Sequence, residues 1–109
     1  MDDCIFCKIA RKEIPKEFTY EDDQIMVFPD IKPVKPIHLL IIPKTHIKEL
    51  HALDNPVLFE KLGTVIQQMV LKMQLENKGY RVVINGGGAQ LVDHLHVHLM
   101  GPMSKDQSV

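Results

Sequence analysis

The sequence predicts an α+β domain, a five-stranded antiparallel sheet covered by one long helix and short helices. Three observations predict it. Leu58, Leu62, Val65, Ile66, Met69 and Met73 follow one another at helical spacing, the apolar stripe of a helix packed on a sheet. Five short runs rich in β-branched, aromatic and aliphatic residues surround that stripe and read as strands. The closely spaced pairs among these runs favour antiparallel pairing. With 109 residues the chain has room for one core and is expected to form a single domain over residues 1–109.

Taken in order, Cys4–Ala10 predicts a turn or two of helix, ended by Ile14-Pro15. Phe18–Tyr20 and Ile25–Phe28 flank the polar Glu21–Gln24 and predict a hairpin with a four-residue connection. Pro29-Asp30 closes its second strand, and Pro33 and Pro36 stiffen an irregular loop from Ile31 to Pro36. His38–Ile42 is continuously apolar after its first residue, the pattern of a central strand buried on both faces, closed by Pro43. Thr45 is placed to cap a short helix running to about Leu53. Asn55-Pro56 starts the long helix as an N-cap with proline at the first helical position, and Asn77-Lys78-Gly79 is expected to end it. Tyr80–Ile84 is a fourth strand, Asn85–Gly88 a flexible connector, and Asp93–Met100 a fifth strand stopped by Gly101-Pro102. Lys105 to Val109 is expected to fray.

Composition narrows the function classes. A net charge of −1 gives no bulk electrostatic reason to bind nucleic acid or a membrane surface. No apolar run approaches the roughly 20 residues of a membrane span, and Met1-Asp2-Asp3-Cys4 lacks the basic start of a secretory signal. A cytoplasmic location is therefore expected. In a reducing compartment, Cys4-x-x-Cys7 reads as a metal half-site or redox pair sooner than a structural disulfide. A thioredoxin-like motif should follow a strand, and only three residues precede Cys4, so that reading fails.

The chemistry concentrates near the C-terminus. In Asp93-His94-Leu-His96-Val-His98-Leu-Met100, strand alternation puts three imidazoles on one face and the aliphatic residues on the other. Imidazole is a nucleophile near neutral pH, and its two nitrogens divide the work. One attacks while the other is held by an acceptor that fixes the tautomer. Neighbouring histidines can protonate a leaving group or stabilise phosphoryl charge. On spacing alone, catalysis and metal binding are both open. Asn85-Gly86-Gly87-Gly88 precedes the histidines, and glycine N–H groups with an amide side chain suit an anion, which favours a phosphate pocket.

These residues identify a resemblance. His94–Met100 is similar to the His-φ-His-φ-His-φ-φ motif of the histidine triad (HIT) superfamily. Ile5–Ile9, Glu13–Pro15, Phe28–Ile31, Pro36–His46 and Gly79–Arg81 resemble its Hint branch in order and spacing, so the likeness covers nearly the whole chain. It implies a HIT fold and a hydrolase or transferase acting at the α-phosphate of a purine nucleoside phosphoramidate or related nucleotidyl conjugate. It implies His96 as the nucleophile that forms a nucleotidyl-histidine, His98 as the contact to phosphate and leaving group, and His38 as the histidine completing the relay beside the nucleophile. It implies a nucleotide site with Ile5 and Phe6 lining the base pocket. Phe28, Asp30 and Ile31 would hold base and ribose, and Asn85, Gly88, Ala89, Gln90, Leu91 and Val92 would form the phosphate loop.

The resemblance also implies structural zinc on Cys4, Cys7, His46 and His94, and a homodimer paired through the long helix and fourth strand. Four protein ligands would leave no open position for water on the metal. If His94 faces zinc while His96 and His98 face phosphate, the strand is expected to bend near His94. Leu91 departs from the family, standing where Hint relatives commonly carry a serine that contacts the phosphate or leaving group. It motivates the alternative of a non-catalytic nucleotide-binding or regulatory module with the same pocket. His51 matches no family role and reads as a solvated histidine.

Overall fold

The computed structural model describes residues 3–105. In chain order the elements are α1 (Ile5–Ala10), β1 (Tyr20–Glu21), β2 (Ile25–Pro29), β3 (Ile37–Pro43), a 3-10 turn (Leu50–Ala52), α2 (Pro56–Lys72), β4 (Arg81–Ile84) and β5 (Val97–Gly101). The strands form one sheet in the order β1-β2-β3-β5-β4, antiparallel at every pair, so the α+β expectation holds. The last strand inserts between β3 and β4. That insertion is what builds the site, because it sets Leu40 opposite His98 and His38 opposite Met100.

Alternation sorts the side chains onto two faces. Ile25, Val27, Leu39, Ile41, Val97 and Leu99 meet Leu58, Leu62, Val65, Met69 and Val70 of α2, the stripe read from the sequence. Fully burying such a side chain contributes roughly 1.5–3 kcal/mol. On the other face Met26, Phe28, Leu40 and Ile42 pack with Phe6 and Ile9 of α1. β3 is therefore buried on both faces, as its apolar run predicts.

Local chemistry explains where elements begin. The Asn55 side chain accepts from the N–H groups of Val57 (3.0 Å) and Leu58 (3.1 Å), and Pro56 opens α2. The Cys4 side chain caps α1 by accepting from Cys7 N–H (3.4 Å), which draws the two sulfurs to one end of the helix. Asp22 Oδ1 accepts from the N–H groups of Gln24 and Ile25, both at 2.8 Å, and turns the β1–β2 hairpin through Asp22–Gln24. The connection is thus one residue shorter than expected, and β1 is only two residues long.

Other boundaries also differ from the sequence reading. No helix starts at Thr45; the helical segment expected up to Leu53 is the 3-10 turn, entered from Glu49. α2 ends at Lys72, with Met73 as its cap and Gln74 at a φ of 58°, ahead of the expected Asn77-Lys78-Gly79 stop. Gly79 has a different duty. Its φ is +81°, and a Cβ there would lie 2.0 Å from the carbonyl oxygen of Met103, where the C-terminal segment crosses. β4 starts at Arg81 rather than Tyr80. The histidine stretch enters the sheet only at Val97: residues 91–94 bend, and Leu95 N–H donates to Ile47 O (2.6 Å). The bend expected near His94 is present, and the three histidines do not share one strand face. The fraying expected from Lys105 to Val109 lies, beyond Lys105, outside the described residues.

Candidate active site and metal centre

The fold gathers six of the seven sequence-predicted histidines and cysteines, together with Asp30, into two clusters, and His96 stands outside both. Cys4, Cys7, His46 and His94 place their ligand atoms within 4.8 Å of one another, and Asp30, His38 and His98 do the same. Residue types alone do not separate them. Hydrogen bonding does, because a neutral imidazole carries one hydrogen and one lone pair.

In the first cluster, His94 Nε2 lies 2.7 Å from the carbonyl oxygen of Pro43. A carbonyl only accepts, so Nε2 carries the hydrogen and Nδ1 keeps its lone pair. That nitrogen faces Cys4 Sγ at 3.3 Å and Cys7 Sγ at 3.6 Å, and His46 Nδ1 lies 3.2 Å from Cys7 Sγ. Tetrahedral zinc with its usual Zn–S and Zn–N lengths requires S···N edges of about 3.6 Å. The four residues fit a metal, and Pro43 orients the ring of one ligand as an outer partner should. The four come from the start of α1, the segment after β3 and the bend before β5. A cavity of about 410 Å³ lined by Cys4, Ile5, His46 and Leu91 reaches them from solvent. Burial, then the neighbouring Cys4, pushes the Cys7 thiol above its ordinary range. Burial, outweighing the Pro43 bond, keeps His94 below the ordinary histidine value, and His46 and His96 add to this. A bound cation would reverse the preference of such a thiol.

The same logic reads the remaining imidazoles. His96 Nδ1–H donates to the carbonyl oxygen of His94 (2.7 Å), which leaves the Nε2 lone pair available. Phe6, buried, packs edge-on against His96 with centroids 5.2 Å apart and against His94 at 5.7 Å. The nucleophile candidate is thus held by a main-chain acceptor and an aromatic wall. Val34 N–H donates to His38 Nδ1 (3.1 Å), so His38 carries its hydrogen on Nε2. That Nε2–H lies 2.9 Å from His98 Nδ1, which must accept, and His98 then carries its own hydrogen on Nε2. Asp30 Oδ2 is 3.3 Å from His38 Nε2 and 4.0 Å from His98 Nδ1. Neither nitrogen of His38 offers a free lone pair, so this second cluster suits proton transfer better than metal binding. Burial, followed by the charges of His96 and His38, keeps His98 below the ordinary histidine value, with Asp30 opposing.

Two details differ from the sequence reading. His38 stands against His98, diagonal across the β3–β5 pair, rather than against His96. The N–H groups of the glycine connector are engaged within the fold: Gly87 N–H donates to Glu49 Oε1 (2.5 Å) and Gly88 N–H to Gln90 Oε1 (3.0 Å). Gln90 is buried, whereas Asn85, Gly88, Ala89 and Leu91 are exposed, Leu91 completely, and Val92 packs on the α1-side core. Phe28 is buried in that core, while Ile5 and Ile31 are exposed. Glu49, Val34 and Pro43 were not singled out from sequence. Two of them act through backbone atoms, and no residue type announces that; Glu49, the acidic residue beside the 3-10 turn, carried no spacing signal toward the distant glycines.

Residues 11–105 match the family model described as the HIT domain. Among curated relatives, Protein HitA of Neisseria gonorrhoeae is 45% identical over 105 residues, covering 93% of this chain and 97% of that protein. Among solved structures, the HIT family hydrolase of Clostridium thermocellum superposes with a TM-score of 0.91 at 34% identity, covering 100% of this chain and 98% of that one. The HIT family hydrolase of Legionella pneumophila Philadelphia 1 gives 0.86 at 40% identity, covering 94% and 95%.

Proposed function

The chain belongs to the HIT domain family, and we propose that it is a nucleotide-binding hydrolase acting on the α-phosphate of a purine nucleoside phosphoramidate or related conjugate. The observation that carries this reading is the His96 ring, whose Nδ1–H is held by the His94 carbonyl so that Nε2 is aimed as a nucleophile. In the proposed reaction, His96 Nε2 forms a bond to the α-phosphorus while the bond to the leaving amine breaks. Water then cleaves the nucleotidyl-histidine. His98 Nε2 is assigned to the leaving group as proton donor, with His38 beside its Nδ1. Ile5, Phe28, Asp30 and Ile31 are assigned to base and ribose, with Phe6 as the wall behind His96. Asn85 and Gly88 to Val92 are assigned to the phosphate.

We assign zinc to Cys4, Cys7, His46 and His94. Four protein ligands make it structural: when bound it braces the bend that carries His94, and the chemistry is left to the imidazoles. A homodimer is also proposed. Leu71, Tyr80 and Val82 leave an apolar face exposed along α2 and β4, beside an unpaired strand edge.

The test is hydrolysis of adenosine 5′-phosphoramidate, with mass-spectrometric detection of an adduct on His96. His96→Ala should lower turnover on the order of 10³-fold or more. Equal rates would remove His96 from the nucleophile role. One observation favours a second reading, a binding module without turnover: Leu91, fully exposed in the phosphate loop, has no polar group to offer the leaving atom. Nucleotide affinity with no adduct in the wild type would select it.

A further inference from the structure

The hydrogen-bond chain from Val34 to His98 leaves a proton without an obvious acceptor. Val34 N–H occupies His38 Nδ1, so His38 Nε2 carries a hydrogen and cannot accept one. In the resting arrangement this is satisfied, because His98 Nδ1 accepts. Turnover demands more of His98. As an acid it must carry hydrogens on both nitrogens, and as a base toward water it must keep its single hydrogen on Nδ1. In both states an N–H on His98 Nδ1 confronts the N–H of His38.

One carboxylate lies between the two rings. Asp30 Oδ2 is 3.3 Å from His38 Nε2 and 4.0 Å from His98 Nδ1, and its side chain is 19% exposed. Asp30 Oδ1 accepts from Lys32 N–H (2.9 Å), which fixes the carboxylate and turns Oδ2 toward the rings. The groups facing His98 are His96 on its own segment, His38 on β3 and Asp30 after β2. Asp30 is the acceptor among them that carries negative charge.

We propose that Asp30 is a positioning residue for His98: Oδ2 takes the Nδ1–H of His98 and the Nε2–H of His38, so that His98 Nε2 alternately gives and takes a proton. This rests on the hydrolase reading and adds a role to the ribose contact that the family resemblance implies for Asp30. In the first half-reaction, His96 Nε2 bonds to phosphorus and the phosphorus–nitrogen bond breaks. Its electron pair leaves on the amine, which takes the Nε2 hydrogen of charged His98. Neutral His98 keeps Nδ1–H on Asp30, with its Nε2 lone pair exposed. In the second, a water oxygen bonds to phosphorus and gives its proton to that lone pair. The bond to His96 breaks with its electrons returning to His96 Nε2.

Asp30→Asn tests this with little change of shape. Lys32 N–H holds the amide oxygen, which turns the amide NH2 toward the rings and favours the tautomer with His98 Nδ1 as acceptor, the wrong one for a base. With adenosine 5′-phosphoramidate and its 2′,3′-dideoxy analogue, turnover should fall on the order of 10- to 100-fold for both. The His96 adduct should accumulate in rapid-quench samples, and Asp30→Glu should recover part of the rate. A loss confined to the ribose-bearing substrate, or to KM alone, would overturn the proposal. Imidazole nitrogen NMR of substrate-free protein is the second arm. Asp30→Asn should protonate His98 at lower pH than the wild type, and identical titrations would overturn the role of Asp30 whatever the activity. A wild type that neither turns over nor labels His96 defeats the hydrolase reading instead, and the NMR comparison then decides on Asp30 by itself.

Discussion

Asp22 shows how much one side chain organises. It turns the first hairpin through two backbone N–H groups, receives the Tyr20 hydroxyl (2.5 Å) and pairs with Lys61 of α2 (2.7 Å). Burial works to raise its pKa, but Lys61, Tyr20 and the two N–H groups outweigh it and hold the carboxyl far below the ordinary range. The folded value is below the unfolded one, so this stabilisation is complete above the unfolded value near 4 and is lost as pH falls through the folded one. Asp22→Asn should therefore lower stability at pH 7 by on the order of 1 kcal/mol and flatten the decline of Tm below pH 4. Parallel Tm–pH curves for variant and wild type would count against it. His98 acts in the same direction on pH by the opposite charge: half-buried beside His96 and His38, it resists protonation, and folding weakens as pH falls below the ordinary histidine value.

At the scale of elements, β4 and α2 expose the face assigned to a second copy. Val82→Lys places a charge on that edge, a device that soluble proteins use to keep strands unpaired. Sedimentation should show the wild type as a dimer and Val82→Lys as a folded monomer; a monomeric wild type would sink the pairing. Elements whose signal is local were legible from sequence. The Asn55-Pro56 start, the stripe of α2 and the apolar run of β3 each reflect capping or periodicity, and each stands where expected. Elements defined by distant partners were not. α2 stops at Lys72 because Gln74 takes the left-handed conformation, while Gly79 is needed where Met103 crosses. β5 starts three residues after the first triad histidine because Leu95 bonds Ile47 outside the sheet. The grouping of site residues was legible through family likeness. Their tautomers were not, since Val34, Pro43 and the His94 carbonyl act through main-chain atoms.

Over the whole molecule, the four candidate sulfur and nitrogen ligands come from the start of α1 and the segments after β3 and before β5, so a metal there would close a loop across most of the chain. Zinc binding to the folded state alone raises stability by mass action. Chelation, or Cys4→Ser, should lower Tm and release about one zinc per chain, while turnover per folded molecule is kept at low temperature. Purified protein without zinc, or a Cys4→Ser variant with wild-type Tm, would contradict this. His94 would serve this brace with its ring, while its carbonyl accepts from His96 Nδ1–H. Every amino acid has that carbonyl, so no substitution at position 94 deletes the acceptor. Metal binding by the ring at position 94 and the main-chain hold on His96 would therefore be separately heritable: a lineage could drift away from the first without discarding the second.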